Sequence, residues 1–289
     1  MLRPQAALIL VLALPLAAAE FSGASAMNFA RQVVSFGPRP PNSAALEKLR
    51  AYVLKNLRAS GCQVSEDAFT ASTPLGPMPM KNLICRFPGQ SGQAVVFSGH
   101  YDTKLMPGTY FIGANDGGSS TALLLELARC LANRPRKHDV YLVFFDGEEA
   151  IGQWSETDGL HGSRNLARRW ARDGTLERIR ALVNVDMIGD KHLGIVQEMH
   201  SSSSLRRTIW QVAAELGYAR FFLDQGGYIE DDHTPFLRLG ANAADLIDFD
   251  YGPGNSWWHT SEDTIDKLSP ESFEVVGRVL LELLHRLEQ

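Results

Sequence analysis

The sequence has few cysteines: Cys62, Cys85 and Cys130 are the only three among 289 residues. No pair is spaced as Cys-x-x-Cys, which argues against a thiolate metal site. An odd count leaves at least one thiol free. Cys62 and Cys85 fall in neighbouring strand-like segments, so a disulfide between them is possible. Cys130 lies on the apolar face of "TALLLELARCLA", which predicts a small buried residue.

The sequence also lacks an excess of positive charge. Its net charge is −5 and its pI is about 5.9, whereas nucleic-acid binding requires a basic face. The one short basic run, "RPRKH" at Arg134 to His138, is typical of a polar loop between a helix and a strand. We therefore expect no nucleic-acid partner.

Beyond the N-terminus there is no run of apolar residues long enough to cross a membrane. Residues 1–26 combine Arg3, an apolar core and small residues, which is the pattern of a secretory signal peptide cleaved after Ala19 or Ala26. The mature chain, residues 27–289, is expected to be exported, either secreted or periplasmic. It should have no stable membrane association after cleavage and should be a monomer.

The remaining sequence alternates between strand-like and helix-like segments. Two strands are predicted near the start, separated by the Pro/Gly-rich loop "TPLGPMPMK" at Thr73 to Lys81. Further apolar strands then alternate with helices begun by serines or asparagine. There is no internal repeat and no linker. This order predicts a single α/β domain with a mixed, mostly parallel sheet covered by helices on both faces, a three-layer α/β/α sandwich.

Polar residues follow the apolar strands of this predicted sheet, where ligands bind in such folds. His100 follows "AVVFSG", the pair Glu148 and Glu149 follows "VYLVFFDG", and Asp186 ends "ALVNV". The set is completed by residues of three loops, namely Asp116, Asp231, Asp232, His233 and His259. Burying a carboxylate at the end of an apolar strand costs free energy unless the carboxylate is paired or binds a metal. Carboxylates with histidine and no cysteine indicate zinc or a similar divalent cation.

The two adjacent glutamates suggest that each has a different role. If Glu149 binds the metal, Glu148 can reach a substrate group that the metal activates. Zinc polarises a carbonyl group, and a free carboxylate beside it can transfer a proton. Taken alone, the doublet could equally be the acidic first turn of a helix.

Together these segments resemble a known superfamily. The motifs "GHYDTK", "GANDGGSS", "FFDGEEA", "NVDMIGD" and "WWHTSEDT", in this order, are similar to those of the zinc aminopeptidase-like superfamily. "FFDGEEAIGQWSETDGLHGSRNLA" and "IEDDHTPFLRLG" resemble its glutaminyl-peptide cyclotransferase branch more closely. The resemblance extends from about Asn42 to Leu287.

The resemblance implies a role for each matching residue. The zinc ligands would be Asp116, Glu149 and His259, with one zinc per chain. The catalytic residues would be Glu148, Asp186 and Asp231, and the substrate-binding residues Trp154, Trp258 and Glu230. The implied reaction converts an N-terminal glutamine of a peptide or protein to pyroglutamate and releases ammonia.

An aminopeptidase of the same superfamily is the alternative. In that case His100 and Asp186 would hold a second zinc, Asp116 would bridge the two ions, and Glu148 would activate water. "GANDGG" is closer to the peptidase version of this motif, whereas Trp154 and Asp231 favour the cyclotransferase. A binding protein without activity is disfavoured, because every catalytic position is filled.

Overall fold

The structure of the protein, a computed structural model, describes residues 19–289. Its helices are α1 (Gly23–Val34), α2 (Ala44–Ala59), α3 (Gly118–Leu131), α4 (His161–Asp173), α5 (Ser203–Glu215), α6 (Thr234–Leu237) and α7 (Pro270–Leu287). Its strands are β1 (Gln63–Thr73), β2 (Gly76–Phe87), β3 (Ala94–His100), β4 (Asp139–Phe145), β5 (Ile179–Asp186), β6 (Ile195–Glu198), β7 (Phe222–Gly227) and β8 (Ala243–Ile247). No helix in this part of the chain is long and apolar enough to cross a membrane.

The main sheet has the strand order β1-β2-β4-β3-β5-β8. The strands β4, β3, β5 and β8 run parallel to one another, and β1 and β2 add two antiparallel strands at one edge. Every residue of β3 and β4 is buried, as expected for the centre of a sheet with two covered faces. The predicted mixed, mostly parallel sheet is confirmed.

Side chains of the central strands alternate between two apolar cores. Val95 and Phe97 of β3 pack in the larger core with α1, α2, α3, α5 and α7. Ala94 and Val96 point to the opposite face and pack with α4 and α6, where Trp170 contacts Phe236. This period of two places one layer of helices on each face of the sheet, so the α/β/α sandwich is confirmed as well.

The prediction of a loop from Thr73 to Lys81 is wrong. Only Pro74 and Leu75 form a turn, and the strands on either side pair from Thr73↔Gly76 to Gln63↔Arg86 in one long hairpin. Prolines are tolerated in β2 because β2 pairs with β4 only from Leu83 onwards, which leaves the other side of its first half without a strand partner among residues 19–289. The small parallel sheet of β6 and β7 was not predicted, since most of β7 is exposed and has no alternating apolar pattern.

The predicted signal peptide, residues 1–26, lies mainly outside the described residues. Its last residues are part of the fold: Phe21 and Ala26 are buried in the larger core, and Gly23 begins α1. The Ser22 amide donates a hydrogen bond to Glu126 of α3 at 2.9 Å, and the Gly23 amide donates to Glu274 of α7 at 2.6 Å.

The cysteines are arranged as the sequence allowed. Cys62 and Cys85 form a disulfide that links the start of β1 to β2. Cys130 is a free, buried thiol of α3, in agreement with its predicted place in the core.

Candidate active site

The sheet brings the predicted site residues together at one edge. His100 is the last residue of β3, Asp186 is the last residue of β5 on one side of it, and Glu148 and Glu149 follow the end of β4 on the other side. These three strands are parallel neighbours, so their carboxyl ends meet. Loops add the remaining predicted residues: Asp116 before α3, Asp231 before α6 and His259 between β8 and α7.

Asp116, Glu149 and His259 form one set of converging side chains, which we call the cleft group. The His259 Nε2 atom lies 2.9 Å from Glu149 Oε1 and 3.2 Å from Asp116 Oδ2. One donor atom from each residue lies within 4.8 Å of the others, which is compatible with a single metal ion. These are the three residues predicted as zinc ligands.

His100, Asp116 and Asp186 form a second set, the inner group. The His100 Nε2 atom lies 3.2 Å from Asp116 Oδ1 and 3.2 Å from Asp186 Oδ1. Asp116 therefore belongs to both groups and presents a different oxygen to each histidine. The inner group also satisfies the spacing of a metal site, and its side chains are buried.

The charged side chains of the two groups shift one another's pKa values. Burial alone would lower the pKa of His259, but the carboxylates of Asp116 and Glu149 raise it to about 10. Burial would likewise lower the pKa of His100, and the carboxylates around it, above all Asp186, raise that pKa well above its usual value. The two histidines hold the pKa of Asp116 far below its ordinary range, against the effect of burial. Burial raises the pKa of Asp186 to about 7 although His100 opposes the shift.

The donor atoms suit a divalent cation. Each imidazole Nε2 carries at most one proton, yet it faces two carboxylate oxygens at 2.9 to 3.2 Å. A cation between the three side chains would satisfy all of them at once. Carboxylate oxygen and imidazole nitrogen are common zinc ligands, so the residues of the cleft group could hold zinc.

Glu148 lies beside the cleft group without belonging to it. Its side chain is buried, and Oε2 is 3.9 Å from His100 Nδ1. Asp102 orients both residues of the doublet, because its carboxylate accepts hydrogen bonds from the main-chain amides of Glu148 at 3.3 Å and of Glu149 at 3.4 Å. Burial raises the pKa of Glu148 well above its ordinary value, and the charge of Glu149 adds to this effect. Glu149 thus belongs to the cleft group, and its neighbour Glu148 is a buried acid able to hold a proton.

Asp231 adds a further carboxyl group to the site. It is buried, Oδ1 accepts a hydrogen bond from the Asp232 amide, and burial raises its pKa. The loop that carries it is held by Glu198, whose carboxylate contacts His233 Nε2 at 3.0 Å and accepts the Ile229 amide at 3.3 Å.

A cleft of about 510 Å³ opens onto these residues. Glu148, Asp186 and Asp231 line it together with the cleft group, whereas His100 does not. Trp154, with 42% of its surface exposed, and Trp258 form aromatic walls, and Trp258 stacks on the His259 ring at a centroid distance of 4.0 Å. Glu230 also lines the cleft and pairs with Arg238 at 2.6 Å. All the residues predicted for the site are therefore brought together.

The residues that hold the Asp116 loop were not predicted from the sequence. The Asp263 carboxylate accepts hydrogen bonds from the main-chain amides of Asn115 at 2.8 Å and Asp116 at 3.1 Å, and from the Tyr251 hydroxyl at 2.6 Å. Asp263 follows His259 by four residues, so it couples the loops of two predicted ligands. Its place in "WWHTSEDT" was visible, but the amides it binds could not be read from the sequence.

Further polar contacts fix the same loop from other sides. The Asn115 side chain donates to the Met187 carbonyl at 3.0 Å and accepts the Gly189 amide at 2.8 Å, which ties the loop to the segment after β5. Arg39 is fully buried and donates to the Gly113 carbonyl at 3.0 Å. Lys104, also missed, lies 3.3 Å from Glu149 Oε2.

Comparison with known proteins agrees with this arrangement. The model of the family described as "Peptidase family M28" matches residues 82–284. The chain is 31% identical over 271 residues to a glutaminyl-peptide cyclotransferase of Drosophila melanogaster, covering 84% of this chain and 76% of that protein.

Solved structures extend the comparison to nearly the whole chain. A glutaminyl cyclase from an Acidobacteriales bacterium superposes with a TM-score of 0.91 at 39% identity, covering 98% of this chain and 99% of that one. A Zn-dependent exopeptidase from Parabacteroides distasonis superposes with a TM-score of 0.82 at 25% identity, covering 93% and 99%. The fold is therefore shared by cyclases and exopeptidases.

Proposed function

Because this chain belongs to peptidase family M28 and, within it, to the glutaminyl-peptide cyclotransferases, we propose that it cyclises N-terminal glutamine. The products would be a peptide or protein that begins with pyroglutamate, and ammonia. The observation that carries the proposal is the placement of Glu148, a buried acid that faces the cleft beside the cleft group but outside it.

We assign Asp116, Glu149 and His259 as the ligands of one zinc ion. The assignment is supported by the convergence of their donor atoms and by the excess of carboxylate oxygens around the His259 nitrogen. A zinc ion bound there would polarise the γ-carbonyl group of the substrate glutamine. His259 also stacks on Trp258, which fixes the plane of its ring.

Glu148 would act as the general acid and base. The α-amine nitrogen of the substrate attacks its own γ-carbonyl carbon, a new C–N bond forms, and the bond to the carboxamide nitrogen breaks. Glu148 takes the proton from the amine and gives it to the leaving nitrogen, so that ammonia departs and no water is consumed. The raised pKa of Glu148 suits a group that must hold this proton between the two steps. Asp186 and Asp231, both on the cleft wall, would bind the departing amide nitrogen.

The cleft walls would hold the glutamine side chain in a folded conformation. Cyclisation requires a flexible side chain to bend back onto its own amine, and confinement in this geometry lowers the barrier. Trp154 and Trp258 supply flat apolar surfaces for this purpose, and Glu230 is positioned at the cleft to bind the substrate main chain. The partial exposure of Trp154 agrees with a wall residue and not with a core residue.

An aminopeptidase remains the second candidate, and the inner group is the observation that favours it. His100, Asp116 and Asp186 have the spacing of a second metal site that shares Asp116 with the first. With two zinc ions, Glu148 would activate a water molecule and the first residue of the peptide would be removed.

One experiment separates the two candidates. The purified protein is incubated with a peptide that begins with glutamine and with a matched peptide that begins with leucine, and the products are measured by mass spectrometry. A cyclase removes the mass of one ammonia molecule from the first peptide and leaves the second unchanged. Release of the first residue from either peptide would show an aminopeptidase.

We also propose that the chain is exported and cleaved after Ala19. Cleavage there keeps the contacts of Ser22 and Gly23 with Glu126 and Glu274, whereas cleavage after Ala26 would remove them together with the first turn of α1. The Cys62–Cys85 disulfide supports export, because disulfides persist in oxidising compartments.

A further inference from the structure

One side of the cleft is formed by a segment without regular secondary structure. Tyr228, Ile229, Glu230 and Asp231, which we call the wall segment, lie between β7 and α6, and all four line the cleft. The proposed reaction depends on this segment, because Glu230 would bind the substrate main chain and Asp231 the departing amide nitrogen. Without the hydrogen bonds of a helix or strand, other contacts must hold these side chains in place.

Glu198 holds the wall segment near its start and just beyond its end. Its side chain is fully buried at the end of β6, opposite Gly227 of β7. Oε1 accepts the Ile229 amide at 3.3 Å, and Oε2 lies 3.0 Å from Nε2 of His233. The His233 ring is also fully buried, and its Nδ1 atom has no hydrogen-bond partner among residues 19–289. The Glu198 carboxylate is therefore what orients this ring.

The same carboxylate connects the wall segment to the main sheet. Oε2 also accepts the main-chain amide of Ser201 at 2.6 Å and its hydroxyl at 2.8 Å. That hydroxyl in turn accepts the Asp245 amide of β8 at 3.0 Å, and β8 pairs with β5, which ends at Asp186. These contacts extend from the strand beside Asp186 to the segment that carries Asp231. They therefore determine how the two carboxyl groups lie relative to each other in the cleft.

The Glu198 carboxylate accepts hydrogen bonds on both of its oxygens. Besides the Ile229 amide, Oε1 accepts the His200 amide at 2.8 Å. Burial would raise the pKa of Glu198, but the contact with His233 and the main-chain amides lower it to about 2. A glutamine at this position would place its NH2 group against at least one main-chain N–H donor in either orientation. The contacts thus require two acceptor oxygens, which glutamine cannot provide.

Two other buried carboxylates hold loops of the site in a similar way. Asp102 accepts the Glu149 amide at 3.4 Å. Asp263 accepts the Asp116 amide at 3.1 Å. Both of these carboxylates therefore hold members of the cleft group, whereas the wall segment held by Glu198 contains none.

We propose that Glu198 is a positioning residue for cyclisation that acts through the wall segment, and above all through Asp231. Glu198 itself does not line the cleft. By holding Ile229 and His233 on either side of Asp231, it keeps the Asp231 carboxyl group where the departing amide nitrogen would lie. This inference rests on the proposed cyclase function.

Glu198→Gln tests this role in the zinc-loaded protein with a peptide that begins with glutamine. We expect kcat to fall by about 10- to 100-fold, because a displacement of roughly 1 Å at a reacting group can cost ~100-fold. The zinc content per chain should remain that of the wild type, since the cleft group is unchanged.

Glu126→Gln is the matched control for a buried glutamate. Glu126 of α3 is also fully buried, and it accepts the Ser22 amide at 2.9 Å and the Ser25 hydroxyl at 2.6 Å. Its partners lie in α1 and next to it, not in the wall segment. This variant should keep the wild-type kcat even where its stability falls, and a kcat lowered as far as in Glu198→Gln would contradict the inference.

A second background separates positioning from a general loss of stability. Glu198→Gln is combined with Asp231→Asn, and kcat is compared among the wild type, the two single variants and the double variant. If Glu198 acts through Asp231, the losses are not additive, and Glu198→Gln should lower kcat by less than about twofold when Asp231 is already changed. A general loss of stability would lower kcat by the same factor in both backgrounds.

His233→Phe takes the place of Glu198→Gln in the same cycle if the latter does not fold. It removes the ring nitrogen that contacts Glu198, and the carboxylate keeps its main-chain donors and Ser201. Wild-type kcat, additive losses or a reduced zinc content would refute the role of Glu198 while cyclisation by the wild-type protein stands. Absence of cyclisation by the wild-type protein would instead overturn the proposed function.

Discussion

The cleft group and the inner group have similar side chains but different positions. Each places one histidine nitrogen between two carboxylate oxygens, and they share Asp116. The side chain of His259 is 19% exposed and lines the cleft, whereas the side chain of His100 is 1% exposed and lies behind it. Asp116 and Asp186 of the inner group also line the cleft, so the exposure of the histidine distinguishes the groups where residue type does not.

The histidine of the inner group lies among more carboxylates than the histidine of the cleft group. Four carboxylates surround the two ring nitrogens of His100, with Asp116 and Asp186 at 3.2 Å, Asp102 at 3.6 Å and Glu148 at 3.9 Å. A protonated imidazole is itself the cation that such a cluster requires, and zinc binds only the neutral ring. We therefore expect one tightly bound zinc per chain.

The largest expected effect separates the two groups directly. His259→Ala removes a ligand of the cleft group and should abolish both tight zinc binding and cyclase activity. His100→Ala should retain about one zinc per chain, since it leaves the cleft group intact. The measurements are metal analysis after dialysis and turnover of a glutamine peptide.

The opposite pattern would show that both groups bind metal. If the wild-type protein holds two zinc ions per chain and His100→Ala holds one, the inner group is a metal site and the aminopeptidase gains support. His192→Ala is a suitable control, because this histidine belongs to neither group.

A smaller effect is expected from Glu148→Gln, which leaves both groups unchanged. The amide keeps the shape of the side chain but cannot transfer the proton, so kcat should fall by ~100-fold or more, as for other general acids and bases. Zinc content should remain that of the wild type. Normal turnover in this variant would exclude Glu148 as the proton carrier.

Much of this site was predictable because it lies at strand ends. The buried strands β3, β4 and β5 are mainly apolar in the sequence, and the polar residues at or just after the end of each one mark the edge of the sheet. Sequence order and fold class therefore place His100, Glu148, Glu149 and Asp186 near one another. The resemblance to known motifs then implied a role for each.

What could not be predicted depends on contacts made through space. Asp263 binds main-chain amides that are 147 and 148 residues away, and such contacts have no local pattern. The prolines of β2 led to the prediction of a loop. A strand tolerates proline along an unpaired edge, and the extent of that edge depends here on where the pairing of β2 with β4 ends. The difference in side-chain exposure between His259 and His100 likewise exists only in the folded protein, where the cleft has formed.

Asp263→Asn tests how the loop of Asp116, the residue that the two groups share, affects metal binding. An amide offers one acceptor oxygen where the carboxylate binds two main-chain amides, so the loop that carries Asp116 should lose part of its support. Zinc affinity should fall by about 10- to 100-fold, the range for residues that orient metal ligands. Competition with a chelator measures this change.

Asp266→Asn is the matched control for that experiment. Asp266 lies three residues further along, is exposed and pairs with Lys267 at 2.7 Å. It should leave zinc affinity unchanged. Equal affinities in Asp263→Asn and Asp266→Asn would show that Asp263 has no influence on the ligands.

The smallest expected effect concerns Asp248, a buried carboxyl just after β8 that belongs to neither group. It has no histidine, lysine or arginine partner among residues 19–289 and accepts only the amides of Gly194 at 2.8 Å and Asp250 at 3.3 Å. Burial therefore dominates and raises its pKa from 3.8 to about 7. Asp248 shows what burial does to a carboxyl of this region when no histidine compensates its charge.

The sign of the pH effect follows from this shift. Between about pH 4 and pH 7 the native state keeps a proton on Asp248 that the unfolded state has lost, so rising pH lowers the free energy of unfolding. From pH 5 to pH 8 this contribution is about 2.6 kcal/mol. Asp248→Asn cannot ionise, so its stability should decline less over this range. Urea unfolding of both zinc-saturated proteins at the two pH values measures the difference, in which titrations common to both proteins cancel. Equal declines would mean that Asp248 is already ionised in the native state, and that two main-chain amides suffice to hold a buried carboxylate here.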